Sequence, residues 1–173
     1  MNRRQKLALS SIALALVSIV AVSSFLIPAL AINAEQNSTY EAITIMGEAR
    51  LEGEVVADAS ITFVAMPYGE PIHFRDRAGR IFKITEGSLT VGETDYVMNP
   101  ETWEGIASMN GSRFIALGDV VEEGTENEFV LVLHGIAVAQ FSEGTVFRVD
   151  GTLRGEEVPN YHLVFLIQVS PSE

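Results

Sequence analysis

The sequence contains no cysteine, which excludes disulfide staples, thiolate metal sites, cysteine nucleophiles and iron–sulfur clusters. The fold must therefore be held by its core alone. Basic residues are scarce: 11 Lys and Arg stand against 23 Asp and Glu, a net charge of −12. That balance excludes a nucleic-acid binder working through a basic face, because phosphate contacts need clustered Lys and Arg. Catalytic motifs are missing as well. There is no Gly-x-Ser-x-Gly elbow, no His-Glu-x-x-His, no glycine-rich phosphate loop and no Rossmann fingerprint. With three histidines at unrelated spacings there is no metal-ligand pattern either. The sequence thus predicts a non-enzyme without cofactor or metal.

What is present is unevenly distributed. Arg3, Arg4 and Lys6 precede an uncharged, Ala/Leu/Ile/Val-rich run over residues 7–34 that ends in Pro28-Ala29-Leu30-Ala31 and is followed by Glu35. A basic start, an apolar core and a small-x-small site form a Sec-type export signal, with cleavage expected after Ala31. Residues 7–27 also reach the ~20 residues that cross a bilayer, so the alternative product keeps an N-terminal hydrophobic helix as a membrane anchor. Both products place the rest outside the cytoplasm, secreted or anchored. Arg3-Arg4 fits a twin-arginine signal poorly, and lipoprotein acylation has no cysteine to use. The expected division is residues 1–31 as signal or anchor, 32–40 as a polar tether and 41–173 as a single β domain. Without its first 31 residues the chain has 8 basic and 23 acidic residues, a net of −15 over 142 residues. Asn37-Ser38-Thr39 and Asn110-Gly111-Ser112 are sequons for N-glycosylation, usable only on an exported chain.

From residue 41 onward the pattern is one of short β-type runs broken by glycine. Turn signals every ~8–12 residues predict an all-β fold, an antiparallel sandwich or barrel-like domain of about eight to twelve short strands. At most one short helix is expected, with Asn99 as its cap and Pro100 at its first position. Asp150-Gly151 predicts a two-residue hairpin turn, and Arg77-Ala78-Gly79 a second one. The stretch from Phe82 to Leu89 resembles that from Phe147 to Leu153, a shared hairpin grammar without a regular repeat. Residues 129–141 and 161–169 are apolar on both faces, which predicts central strands covered on two sides by a second layer, a ligand or another protomer.

Candidate site residues come from those two runs. His134 and Gln140 are six residues apart, and His162 and Gln168 repeat the spacing. On paired strands they would form a polar ladder, either a ligand-contacting stripe inside a barrel, a metal pair completed by His73, or buried polar groups satisfied by one another. The acidic run from Asp119 to Glu128 lacks the alternation of a calcium loop and reads as solvated. Trp103, with Tyr68 and Tyr96, reads either as a binding platform or as a core anchor. Two functions follow. The first is an exported, surface-located β domain with a structural or protein-interaction role, self-associating through strand edges. The second is a small β-barrel holding an apolar ligand, oriented by His134, Gln140, His162 and Gln168.

Overall fold

The computed structural model describes residues 38–74, 77–155 and 160–172. The expected leader helix, most of the tether and Asn37 lie outside them. Ten strands follow in order: β1 (Tyr40–Leu51), β2 (Glu54–Pro67), β3 (Ile72–Phe74), β4 (Arg77–Val91), β5 (Thr94–Met98), β6 (Glu104–Ser108), β7 (Arg113–Glu122), β8 (Glu128–Phe141), β9 (Gly144–Arg154) and β10 (Tyr161–Pro171). All are antiparallel to their neighbours. They close into an eight-stranded barrel, because β10 pairs with β1 while β2 pairs with β4. β5 and β6 together occupy one wall position, both bridging β4 and β7, and β3 merely extends the start of β4. An all-β domain was expected; of the two architectures left open, the barrel is the one formed.

The alternation along each strand sets the inside. Ala42 and Ala49 on β1, Ile61 and Phe63 on β2, Ile84 and Leu89 on β4, Leu131 and Leu133 on β8, Val149 and Leu153 on β9, and Leu163, Phe165 and Ile167 on β10 point inward and are buried. An eight-stranded barrel is just wide enough for side chains to fill it. Here aromatic rings do much of the filling, and each needs a gap opposite. Phe165 pairs across the ladder with Gly47, Phe63 with Gly87, Phe82 with Gly105 and Phe114 with Gly135. A Cβ on Gly47, Gly105 or Gly135 would collide with the ring it faces, and one on Gly87 would collide with the Met98 sulfur, the Thr62 carbonyl and the Phe63 Cβ. Trp103 uses Gly118 in the same way. It enters from the break between β5 and β6, fully buried, and its Nε1 donates to the Asp119 carbonyl at 2.8 Å. The core-anchor reading of Trp103 is therefore the one realised; Tyr68 is at the surface, donating to Glu104 at 2.6 Å, and Tyr96 packs edge-on against Phe129.

Several local expectations fail for identifiable reasons. No helix forms among the described residues. Asn99 does cap, accepting from the Glu101 amide at 3.1 Å, but only a single turn follows before Trp103 must enter the core. Asp150-Gly151 makes no hairpin, since β9 runs straight through it; Gly151 faces inward, where a Cβ would press on Leu133 and Leu163. Its glycine answers a packing demand, not a turn. Arg77-Ala78-Gly79 belongs to β4, so the β3–β4 hairpin turns earlier than expected. The strands are also longer than predicted, up to 15 residues. Finally, β8 and β10 are covered on one side only: their inner faces form the core, while Val130 and Ile136 on the outer face of β8 remain about half exposed.

Gly47→Ala is expected to cost about 1–3 kcal/mol, the usual range for overpacking, because the fully buried Phe165 ring and the Ala59 carbonyl leave no room to adjust. Urea unfolding should show a lower midpoint at unchanged slope. A second expectation concerns alkaline pH. Burial raises the pKa of Tyr96 above 10.0, with Glu122 and Tyr161 adding to the effect. The native state then keeps this proton to higher pH than the unfolded chain, so stability is intact below about pH 10 and is lost as pH climbs through the raised value. Tyr96→Phe should flatten that alkaline decline in the thermal midpoint.

Candidate binding site

The barrel is filled through its middle and open at one end. That end gathers the start of β1, β4, β7 and β9 and the finish of β2, β6 and β10. A pocket of about 100 Å³ lies there. Its aromatic lining is Phe63, Phe82, Phe114 and Phe147; Phe82 and Phe114 meet edge-on at 6.3 Å, and Phe114 and Phe147 at 5.2 Å. Small residues, Ala65 on β2 and Ala107 on β6, leave the space between them, and Tyr40, Pro67, Met109 and Val169 complete the wall. Two of the four, Phe82 and Phe114, are rings seated on glycines. The pocket is thus a by-product of the same packing rule that fills the barrel, at the end where the stack of side chains stops.

The pocket surface is almost wholly carbon. Arg80 and Arg113 belong to its lining, from β4 and β7. Burial raises the pKa of Tyr40, partly offset by the charge of Arg80, so Tyr40 stays a neutral phenol at ordinary pH. Such a wall can hold an apolar group by burial alone. The polar side chains that belong to the lining are Tyr40, Ser108, Arg80 and Arg113. Among the described residues no group of three or more metal-ligating side chains comes together.

The residues singled out in the sequence lie elsewhere. β8 and β10 are not neighbours, because β9 runs between them, so the expected ladder does not form as drawn. His134 and His162 are exposed on the outer wall and flank Asp150 on β9: His134 is its register partner, and the His162 Nε2 lies 3.7 Å from its carboxylate. His73 sits on β3 at the pocket end, in register with Ala78, several wall positions from both. Gln168 shares the outer face with His162. Gln140 does not share a face with His134, because a β-bulge between Ala137 and Ala139 reverses the alternation and puts Gln140 level with Thr145 and Val169 on the inner side. None of the four lines the pocket. Asn110 is exposed in the β6–β7 loop, its Oδ1 accepting from the Ser112 amide and hydroxyl at 3.1 and 2.7 Å. The sequence signal for the pocket was present but unread: aromatic residues placed across from strand glycines.

No protein family, curated protein or solved structure matches this chain. Its class is accordingly defined by geometry, a closed antiparallel barrel with one apolar end pocket.

Gly135→Ala gives a site-level counterpart to the core substitution. Phe114 is only partly buried at the mouth and can swing away from a new Cβ, into the pocket. The expected outcome is a smaller loss of stability than for Gly47→Ala together with a constricted pocket, visible as changed ring shifts of Phe114 and Phe147 by NMR.

Proposed function

We propose that the protein is a binding barrel that takes the apolar part of a small molecule into its open end. The pocket carries this reading: four aromatic rings and small residues enclose about 100 Å³ with a carbon surface. An apolar cavity of about 150 Å³ takes up benzene or xenon, so this smaller, open one suits a short or branched hydrocarbon group, the remainder of the ligand projecting from the mouth. The export signal read in residues 1–31 puts this activity outside the cytoplasm as part of the same proposal.

Xenon tests it. Under xenon pressure the methyl signals of Ala65 and Ala107 should shift, with Leu131 and Leu133 in the filled middle unmoved. Ala65→Leu should abolish those shifts at Ala107 without unfolding the barrel. Absence of xenon-dependent shifts in the unsubstituted protein, or shifts at Ala107 that persist in Ala65→Leu, overturns the reading.

A second reading rests on the outer wall. Ile106, Ile115, Leu117, Val130 and Ile136 are all between about one-third and one-half exposed on adjoining strands β6, β7 and β8. A structural or protein-interaction role through that wall, self-association included, would use side chains in place of the strand edges that barrel closure consumes. Light scattering at high concentration, with Leu117→Glu as comparison, distinguishes it: a concentration-dependent dimer lost on substitution supports the wall, and a strict monomer opposes it.

A further inference from the structure

We propose that, in the uncleaved product, the barrel stands with its pocket mouth against a lipid bilayer, held there by the apolar N-terminal segment. The chain leads straight to that end. The uncharged run over residues 7–34 stops six residues before Tyr40, which both begins β1 and lines the pocket. Six residue steps reach at most about 20 Å, less than the length of the barrel's longer strands, so a segment inserted in the membrane can hold only this end near the surface. The rim suits that position. Phe141, the last residue of β8, is 53% exposed, and Ile72 on β3 is 36% exposed. Arg80 and Arg113 bring positive charge to this end, set against the exposed Glu41, Glu70 and Glu143, so its charge is close to balanced.

The opposite end is built for the reverse orientation. Its turns and strand ends carry Glu52, Glu54, Glu93, Asp95, Glu122, Glu123, Glu126 and Glu128 against Arg50 and Arg154, a strongly acidic balance. An anionic leaflet repels such a surface and attracts basic groups, by about 1 kcal/mol for each Lys or Arg near it. Tether, apolar rim and the difference in charge between the two ends therefore point the same way. The proposal does not rest on the pocket being filled, but it supplies the pocket with a source: an apolar group leaving the bilayer meets the mouth first.

The absence of cysteine makes the test clean. The full chain, with its first 34 residues retained, is reconstituted in phosphatidylcholine–phosphatidylglycerol vesicles as Ser142→Cys or Glu126→Cys, each carrying one bimane label. Ser142 is exposed at the pocket end and Glu126 at the acidic end. With spin-labelled headgroup lipids in the bilayer, the label at Ser142 should lose most of its emission and the label at Glu126 should keep it. Equal quenching at both sites, stronger quenching at Glu126, or failure of the full chain to associate with the vesicles overturns the proposal. Xenon binding is read separately on the same protein, so an empty pocket on a correctly oriented barrel would refute the binding function and leave the orientation standing.

Discussion

The pairing of an aromatic ring with a glycine on the next strand is the constraint on which this barrel depends. A closed eight-stranded sheet has room for side chains but little to spare. Phe165, Phe82 and Phe114 enter that space because the residue directly across the ladder has no side chain, and a tryptophan does the same from a gap in the wall. Glycine in a strand ordinarily weakens it, through lost entropy and lost packing. Here the ring laid over it restores the contact and shields the bare backbone from water. With no disulfide available, these pairs and the aliphatic layers between them are what hold the register.

Once that rule is seen, the pocket needs no separate origin. Toward the middle, Phe165 and Trp103 are surrounded by leucine, isoleucine and valine from neighbouring strands and become fully buried. Toward the open end the partners of Phe63, Phe82 and Phe114 shrink to Ala65 and Ala107, and the rings line a space where they would otherwise close it. A wall of this kind favours any apolar group over water and distinguishes poorly among apolar groups. Selectivity would have to come from whatever part of the ligand remains outside, near Arg80, Arg113 and Tyr40.

The fold class was legible in the sequence because period-two alternation and glycine punctuation are local signals. What misled were signals with two meanings. Asp150-Gly151 has the chemistry of a type I′ turn, yet Gly151 is needed for the space between Leu133 and Leu163, and the same dipeptide serves a straight strand. Asn99-Pro100 has the chemistry of a helix start, yet the chain must deliver Trp103 into the core three residues later. The apolar outer faces of β8 and β10 looked like coverage by a second layer; they are wall positions flanking a polar strip, Arg148, Asp150 and Thr152, on β9. The candidate site failed on a finer point. Six-residue spacing keeps two side chains on one face only in an unbroken strand, and the bulge after Ala137 turns Gln140 inward while His134 stays out.

That bulge also bears on why one end is open and the other closed. Beyond it, β8 carries Ala139 and Gln140 where the pattern upstream would have placed larger apolar groups inward, and the adjoining end of β9 begins with Gly144 and Thr145. At the far end the same two strands contribute Phe129 and Leu153, with Tyr96 packed on the former, and the interior is sealed. The taper from large to small side chains along β8 and β9 thus has a direction, and it leads to the end at which β1 begins. A barrel filled toward its acidic end and hollow at the end where β1 begins is asymmetric in shape and in charge. Solubility alone requires neither asymmetry, whereas the proposed seat against a lipid surface would use both.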